Sequence, residues 1–200
     1  MKELSCKVAL ALSDRLIAHL AAGCEQVSRM GELRRASDRL LAAREGVDQD
    51  HLAECEAAML SRFELLMLPK LYEEDSRSDR MAALDRYLHE LVQRPELSAF
   101  IRLTTPRAHD QRQLLVTLPK HGEVRCDLYT VPADDEWVTA LLYKTGSTGF
   151  VSRLEQQAAK LGLELQDNGL FRGDHQLAVD DEAALFQRLG LTYVRPGDRG

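Results

Sequence analysis

The sequence has 200 residues, of which 44% are hydrophobic and 29% are charged, proportions typical of a globular protein with a sizeable core. Its net charge of −6 at pH 7 excludes a globally basic surface, so any surface that binds nucleic acid must be local. No apolar run reaches the roughly 18 residues that a membrane span needs, and the four scattered cysteines lack the spacing of a zinc site or a disulfide framework. We therefore expect a cytoplasmic protein with reduced thiols and no membrane partner.

The N-terminal half is predicted to be mostly helical. Apolar residues recur at helical spacing over residues 3 to 22, and a short strand is predicted from Cys24 to Met30 before a turn. Residues 36 to 60, rich in Ala, Leu, Glu and Arg, indicate one or two helices. The apolar run Phe63–Leu68 is typical of a buried strand, and a helix is predicted over residues 79 to 93.

Three features of this half are candidate binding sites for phosphate or a metal ion, and each also has a purely structural interpretation. Arg34 and Arg35 follow a turn, where guanidinium groups can bind phosphate, but paired arginines also suit the solvated face of a helix. Asp48 and Asp50 could hold a divalent cation, although the helical pattern after them favours an N-cap with its first-turn acid. Glu64 lies near the start of the predicted strand, where it could be a metal ligand or a residue that faces the solvent at an edge.

The C-terminal half begins with a predicted hairpin of two strands, Leu114–Leu118 and Val124–Val131. Asp127 lies in the middle of the second strand, where a carboxylate could be held rigidly toward a metal. The elements predicted after the hairpin are helices at Ala133–Tyr143, Phe150–Leu161 and Glu182–Leu189 and short strands at Leu163–Leu165 and Gly169–Phe171.

A turn of small residues, Thr145–Gly149, separates two of these helices. Glycine allows a close approach of the backbone, and the free N–H groups of the helix that starts at Phe150 could face an anion. A corner between helices that binds no ligand is the competing interpretation of these residues.

Six elements then follow one another in a particular order. They are Val124-Arg-Cys-Asp-Leu-Tyr129 with its central acid, Leu142-Tyr-Lys-Thr-Gly-Ser147, a helix ending in Lys160-Leu-Gly162, Gly169-Leu-Phe171, an acid-capped helix running into Leu189-Gly-Leu191, and Tyr193-x-x-Pro196-x-x-Arg199. In this order they resemble the end of the palm and the thumb of a family X DNA polymerase, the group related to DNA polymerase beta.

The N-terminal half is similar to the same family at two places. Gly23–Gly31 followed by Leu33-Arg-Arg35 resembles the family's strand and Gly-Ser loop, and Ser61–Pro69 resembles its catalytic strand. The resemblance implies an α+β fold: a nucleotidyltransferase-like palm with a mixed β-sheet and flanking helices, plus a small α/β thumb. The palm would span residues 1–142, with residues 36–60 as an enlarged helical insertion, and the thumb residues 143–200.

The resemblance also implies which residues form the site. Glu64 and Asp127 would be the catalytic carboxylates and the ligands of Mg2+. The residues that would bind nucleotide are Gly31, Arg34, Arg35, Tyr143, Lys144, Thr145, Gly146 and Ser147.

This sequence departs from the family's pattern at four positions. Glu32 replaces the loop serine that helps hold the triphosphate, and Arg62 replaces the first of three carboxylates that hold two metal ions. Lys144 replaces the second aromatic residue before the turn, and Val151 replaces an asparagine near the incoming base. These departures imply a polymerase-like protein that is catalytically impaired or inactive, with Mg2+ binding weakened or lost.

Such a protein would act by binding nucleotide, a nucleic-acid end or a protein partner. The alternative is an active, metal-dependent nucleotidyltransferase in which Asp48, Asp50 or Glu32 replaces the missing carboxylate beside the two that remain. The basic residues expected to form a phosphate-facing surface are Arg34, Arg35, Lys144, Arg153, Lys160, Arg172, Arg195 and Arg199.

Overall fold

A computed structural model describes residues 3–46, 49–70, 77–104, 108 and 110–200. The chain divides into two compact units, Met1–Pro132 and Ala133–Gly200. The predicted boundary, after residue 142, lies ten residues after the observed one and falls inside the helix Trp137–Thr145. The assignment of the first unit to a palm stays a prediction.

The first unit contains twelve elements within its described residues. They are β1 (Leu4–Ser5), α1 (Cys6–Leu20), β2 (Cys24–Arg29), α2 (Gly31–Glu45), α3 (Gln49–Ala57), β3 (Met59–Leu60), β4 (Glu64–Pro69), α4 (Arg77–Gln93), α5 (Pro95–Ser98), β5 (Ile101–Leu103), β6 (Gln111–Leu118) and β7 (Gly122–Thr130). The predicted turn before Arg34 is wrong, because α2 begins at Gly31 and includes both arginines. Gly31 has a φ of 58°, which lets the chain pass from β2 directly into the helix.

Five of the strands form a mixed sheet in the order β2-β4-β7-β6-β5. The central pair, β4 and β7, is parallel, whereas the other neighbours are antiparallel. The predicted hairpin is confirmed as β6 and β7, and the predicted buried strand is confirmed as β4. A second, two-stranded sheet joins β1 to β3.

The core of the first unit lies between one face of the mixed sheet and the helices α1, α2 and α4. Side chains alternate across a strand, so Leu65 and Met67 of β4 and Cys126 and Leu128 of β7 point to this face and join one apolar cluster with the helices. The alternate residues of the same strands therefore point to the opposite face, which we call the second face of the sheet. Glu64 and Asp127 belong to that second face.

The second unit contains three α-helices and a three-stranded antiparallel sheet. Its elements are α6 (Trp137–Thr145), α7 (Thr148–Lys160), β8 (Glu164–Gln166), β9 (Gly169–Arg172), β10 (His175–Leu177) and α8 (Glu182–Arg188). Ser147 caps α7 by accepting a hydrogen bond from the backbone of Phe150 at 3.2 Å, and Asp181 caps α8 in the same way through Ala184 at 2.7 Å. The cap at Asp181 confirms the predicted start of α8, whereas α7 begins at Thr148, two residues before the predicted start at Phe150.

The predicted fold class is confirmed: the chain is α+β, with a mixed sheet and flanking helices followed by a small α/β unit. Among the described helices, none combines the length and the apolar character that crossing a membrane requires.

Candidate functional site

Two neighbouring strands bring the predicted carboxylates Glu64 and Asp127 together, and we call these residues the acidic pair. Glu64 begins β4, and the parallel register between β4 and β7 places it directly beside Asp127. Both side chains point to the second face, and both residues are buried, with exposures of 7% and 8%. The predicted proximity of the two carboxylates is therefore present in the structure.

Both oxygens of the Asp127 carboxylate face nitrogen donors of the chain. The side-chain amide of Gln113, on β6, donates a hydrogen bond to Oδ1 at 2.6 Å. Nε of Arg125, two residues earlier on β7, lies 3.3 Å from Oδ2 and forms an ion pair with it. Gln113 is also the cross-strand partner of Asp127, so the sheet register fixes the first of these contacts.

Arginines of α2 and of the segment before β4 bring positive charge into the neighbourhood of the acidic pair. Burial, followed by the charge of Arg39, lowers the pKa of Arg35, with a smaller lowering from Arg62. The charges of Glu32 and Glu64 act in the opposite direction on the same guanidinium. The predicted phosphate ligand Arg35 is thus half-buried in a group of mixed charge that includes one member of the acidic pair.

The acidic pair also affects its neighbours on β7. Burial raises the pKa of Tyr129, and the negative charges of Glu64 and Asp127 raise it further, while Arg62 opposes them. Arg62, which was predicted to replace a carboxylate, therefore acts with a positive charge on the same tyrosine as the acidic pair.

These residues do not fit a two-metal site. Two divalent ions need several oxygen ligands, including carboxylates that reach both ions. Among the residues that the structure describes, no group of three or more His, Cys, Asp or Glu side chains is arranged to hold a metal. The oxygens of Asp127, moreover, already face an amide and a guanidinium.

The three carboxylates predicted as replacements, Glu32, Asp48 and Asp50, have different surroundings. Oε2 of Glu32 accepts hydrogen bonds from the backbone and hydroxyl of Ser61, both at 2.9 Å, and from the backbone of Arg62 at 3.3 Å. Glu32 therefore anchors the segment before β4. Asp50 is exposed on α3, and Asp48 lies outside the described residues.

Backbone hydrogen bonds hold the predicted nucleotide-binding residues at the start of α2 next to the acidic pair. The N–H of Met30 donates to the carbonyl oxygen of Glu64 at 3.2 Å, which holds the end of β2 and Gly31 next to the start of β4. The first turn of α2 then carries Arg34, whose N–H donates to the carbonyl of Met30 at 3.2 Å. Gly31, Arg34 and Arg35 therefore belong to one region with Glu64.

The remaining predicted site residues, 143–147, lie in the second unit, at the corner between α6 and α7. The hydroxyl of Tyr143 lies 2.8 Å from both a carboxylate oxygen of Glu155 and the carbonyl oxygen of Leu165. Burial and then the hydrogen bond with Glu155 raise the pKa of Tyr143. The tyrosine hydroxyl therefore joins α6 to α7 and β8.

The corner itself is closely packed. Thr145 is fully buried, whereas Lys144 is exposed. A Cβ atom at Gly146 would lie 2.8 Å from a ring carbon of Phe150, closer than packed carbon atoms approach, so glycine is required there. The N–H of Ser147 donates to the carbonyl oxygen of Arg199 at 3.0 Å, which ties the corner to the end of the chain.

Arg199 was predicted to face phosphate, and this prediction is wrong. The residue is completely buried, and its guanidinium forms a two-point ion pair with Glu182 at 2.6 and 3.1 Å. It also donates twice to the carbonyl oxygen of Val194, at 3.0 and 2.8 Å. Three aromatic rings lie 5.5 to 5.8 Å from its central carbon, those of Phe150, Phe186 and Tyr193.

Residues 140–200 match the family model of the DNA polymerase beta thumb. This match supports the resemblance inferred from the sequence for that part of the chain, which is similar to a polymerase beta thumb, and we refer to the second unit as the thumb. No curated protein is found to match the chain.

Two residues that contact the acidic pair, Gln113 and Arg125, were missed by the sequence-based prediction. Both could be found by following side-chain alternation, because Arg125 shares a strand face with Asp127 and Gln113 lies opposite it in the hairpin. The register of that hairpin, set by the turn after Leu118, was the signal.

Proposed function

We propose that the chain is a family X polymerase-like protein that binds nucleic-acid ends and lacks effective nucleotidyl transfer. One observation carries the proposal: a polymerase β-like thumb follows a sheet that brings only two carboxylates together among the described residues. In this interpretation the first unit is the palm, and its centre keeps the position of the catalytic strands while its metal chemistry is lost.

Exposed basic residues of the thumb support nucleic acid as the partner. Lys144 lies in the last turn of α6, Arg153 and Lys160 lie on α7, and Arg172 ends β9; all four are exposed. Since the whole chain is acidic, such a local group supplies the phosphate contacts that nucleic-acid binding needs. The four cysteines are free thiols, which supports the reducing cytoplasm as the compartment.

Fluorescence anisotropy with a labelled duplex that carries a recessed 3′ end tests the binding. We expect a dissociation constant at or below about 10⁻⁶ M at moderate salt, tighter than typical non-specific binding. Replacing Arg153 and Lys160 by glutamate should weaken binding about tenfold or more and flatten its salt dependence. The matched control is Arg102→Glu, a charge reversal at an exposed arginine of the first unit. Equal affinities of all three proteins would reject the thumb as the binding surface.

Magnesium-dependent incorporation of labelled nucleotide tests the loss of catalysis. We expect the unmodified protein and Asp127→Ala to give the same background signal. Incorporation that Asp127→Ala abolishes would show the proposal of inactivity to be wrong. The active alternative, in which Glu64 and Asp127 work with a replacement carboxylate, would then hold, with Asp48 and Asp50 as the next residues to replace.

A further inference from the structure

The surroundings of Asp127 indicate what compensates its charge. A buried carboxylate needs hydrogen-bond donors or a counter-charge, because leaving water otherwise costs several kcal/mol. In an active two-metal centre the counter-charge is the metal. Here Gln113 donates to Oδ1 and Arg125 pairs with Oδ2, so both oxygens are already compensated by the chain.

The position of Arg125 on the strand keeps its charge beside Asp127. Arg125 lies on the same strand and the same strand face as Asp127, two residues away, so the rigid sheet holds the two charges together. Its Nε is buried and has no partner that meets hydrogen-bond geometry among the described residues, although the Asp127 oxygen is 3.3 Å away. The interaction is therefore mainly one of charge with charge.

Glu64 does not restore a place for a metal. It lies beside Asp127 in register, and its charge already interacts with that of Arg35 on α2. A divalent ion that approached Asp127 would meet the positive charge of Arg125, whose Nε lies 3.3 Å from Oδ2.

We propose that Arg125 replaces a divalent cation as the counter-charge of Asp127, so that the acidic pair excludes Mg2+ and any ligand of this centre is bound without metal. This inference rests on the proposed function in one respect only: it takes the acidic pair to occupy the position of the active site in a polymerase palm. It adds the particular residue that takes over the metal's electrostatic role.

Titration with Mn2+, which substitutes for Mg2+ and broadens the NMR signals of nearby amides, tests the proposal. The titration contains neither nucleotide nor nucleic acid, so its result is independent of whether the protein binds either. For the unmodified protein we expect the same weak, unsaturated broadening as for Asp127→Asn.

Arg125→Gln should create a site. Removing the positive charge frees Oδ2 while Gln113 still orients the carboxylate, and the affinity for Mn2+ should rise about tenfold or more. Arg125→Lys keeps the charge and should behave like the unmodified protein. The matched control is Arg102→Gln, which removes an exposed arginine that pairs with Glu123. It should leave Mn2+ binding unchanged.

Two outcomes would overturn the proposal. The first is saturable Mn2+ binding to the unmodified protein, with broadening centred on β4 and β7, that Asp127→Asn abolishes. The second is a folded Arg125→Gln variant, as judged by its amide spectrum, whose Mn2+ affinity does not rise. Should Arg125→Gln fail to fold, the comparison of the unmodified protein with Asp127→Asn decides the question alone.

Discussion

Replacing Arg199 by methionine should destabilise the thumb strongly. The substitution keeps much of the apolar length of the side chain but removes the charge that compensates Glu182, which is only 8% exposed. A buried carboxylate that loses its partner costs about 3–5 kcal/mol. The hydrogen bonds give a similar figure, since the four that Arg199 donates would contribute about 0.5–1.5 kcal/mol each.

Urea denaturation followed by tryptophan fluorescence measures this effect directly. The chain has a single tryptophan, Trp137, which lies in α6 and is buried, so its emission reports on the second unit. With a urea dependence near 1 kcal/mol per molar for a unit of this size, the midpoint should fall by about 3 M or more. Arg172→Met is the matched control, because Arg172 is exposed in the same unit; its midpoint should change by no more than about 0.5 M.

The double variant Arg199→Met, Glu182→Leu separates a buried ion pair from simple packing. Replacing both partners by apolar residues removes the uncompensated charge, so the double variant should be more stable than Arg199→Met alone. A destabilisation of Arg199→Met below about 0.5 kcal/mol would refute the reasoning. So would a double variant whose loss equals the sum of the two single losses.

Three further effects follow from local contacts. Ser147→Ala should cost about 1 kcal/mol of thumb stability in the same urea assay, because the N-cap of α7 is lost; an unchanged midpoint would contradict that role. Glu32→Ala should lower the stability of the first unit by about 0.5–1.5 kcal/mol, as measured by amide exchange, because it removes the acceptor of Ser61; Glu32→Gln keeps an acceptor oxygen and should cost less. Burial raises the pKa of Cys24 from 9.0 to about 12, so the folded thiol stays protonated while the unfolded one ionises. Its contribution to stability is present below pH 9 and falls by about 1 kcal/mol by pH 10, a loss that Cys24→Ala should not show; equal pH dependence of both proteins would contradict it.

The strands that carry the acidic pair could be predicted because their sequences are unambiguous. Leu65–Leu68 is a continuous apolar run, and the hairpin around His121 alternates and has a clear turn. The parallel pairing of β4 with β7 could not be derived from composition or periodicity, since it joins segments far apart in the chain. Only the family resemblance indicated that Glu64 and Asp127 would meet.

The errors arose where one residue type serves two purposes. Gly31 was interpreted as the end of a strand and the start of a turn, whereas its positive φ starts a helix at once. Arg199 was predicted to belong to a phosphate-facing surface, because arginine is seldom fully buried. Its partner Glu182 looked like a first-turn acid of α8, and nothing in the spacing of the two residues reveals the ion pair.

Both units use arginine to compensate a buried carboxylate, and this has a consequence for the acidic centre. Arg199 compensates Glu182 in the thumb, and Arg125 compensates Asp127 in the first unit. Removing one partner of such a pair is costly, whereas the intact pair adds little compared with apolar residues. Loss of Arg125 alone would therefore lower stability unless another cation took its place, and a bound divalent ion stabilises only the folded form. It follows that folding of Arg125→Gln should depend on divalent cations, while folding of the unmodified protein should not.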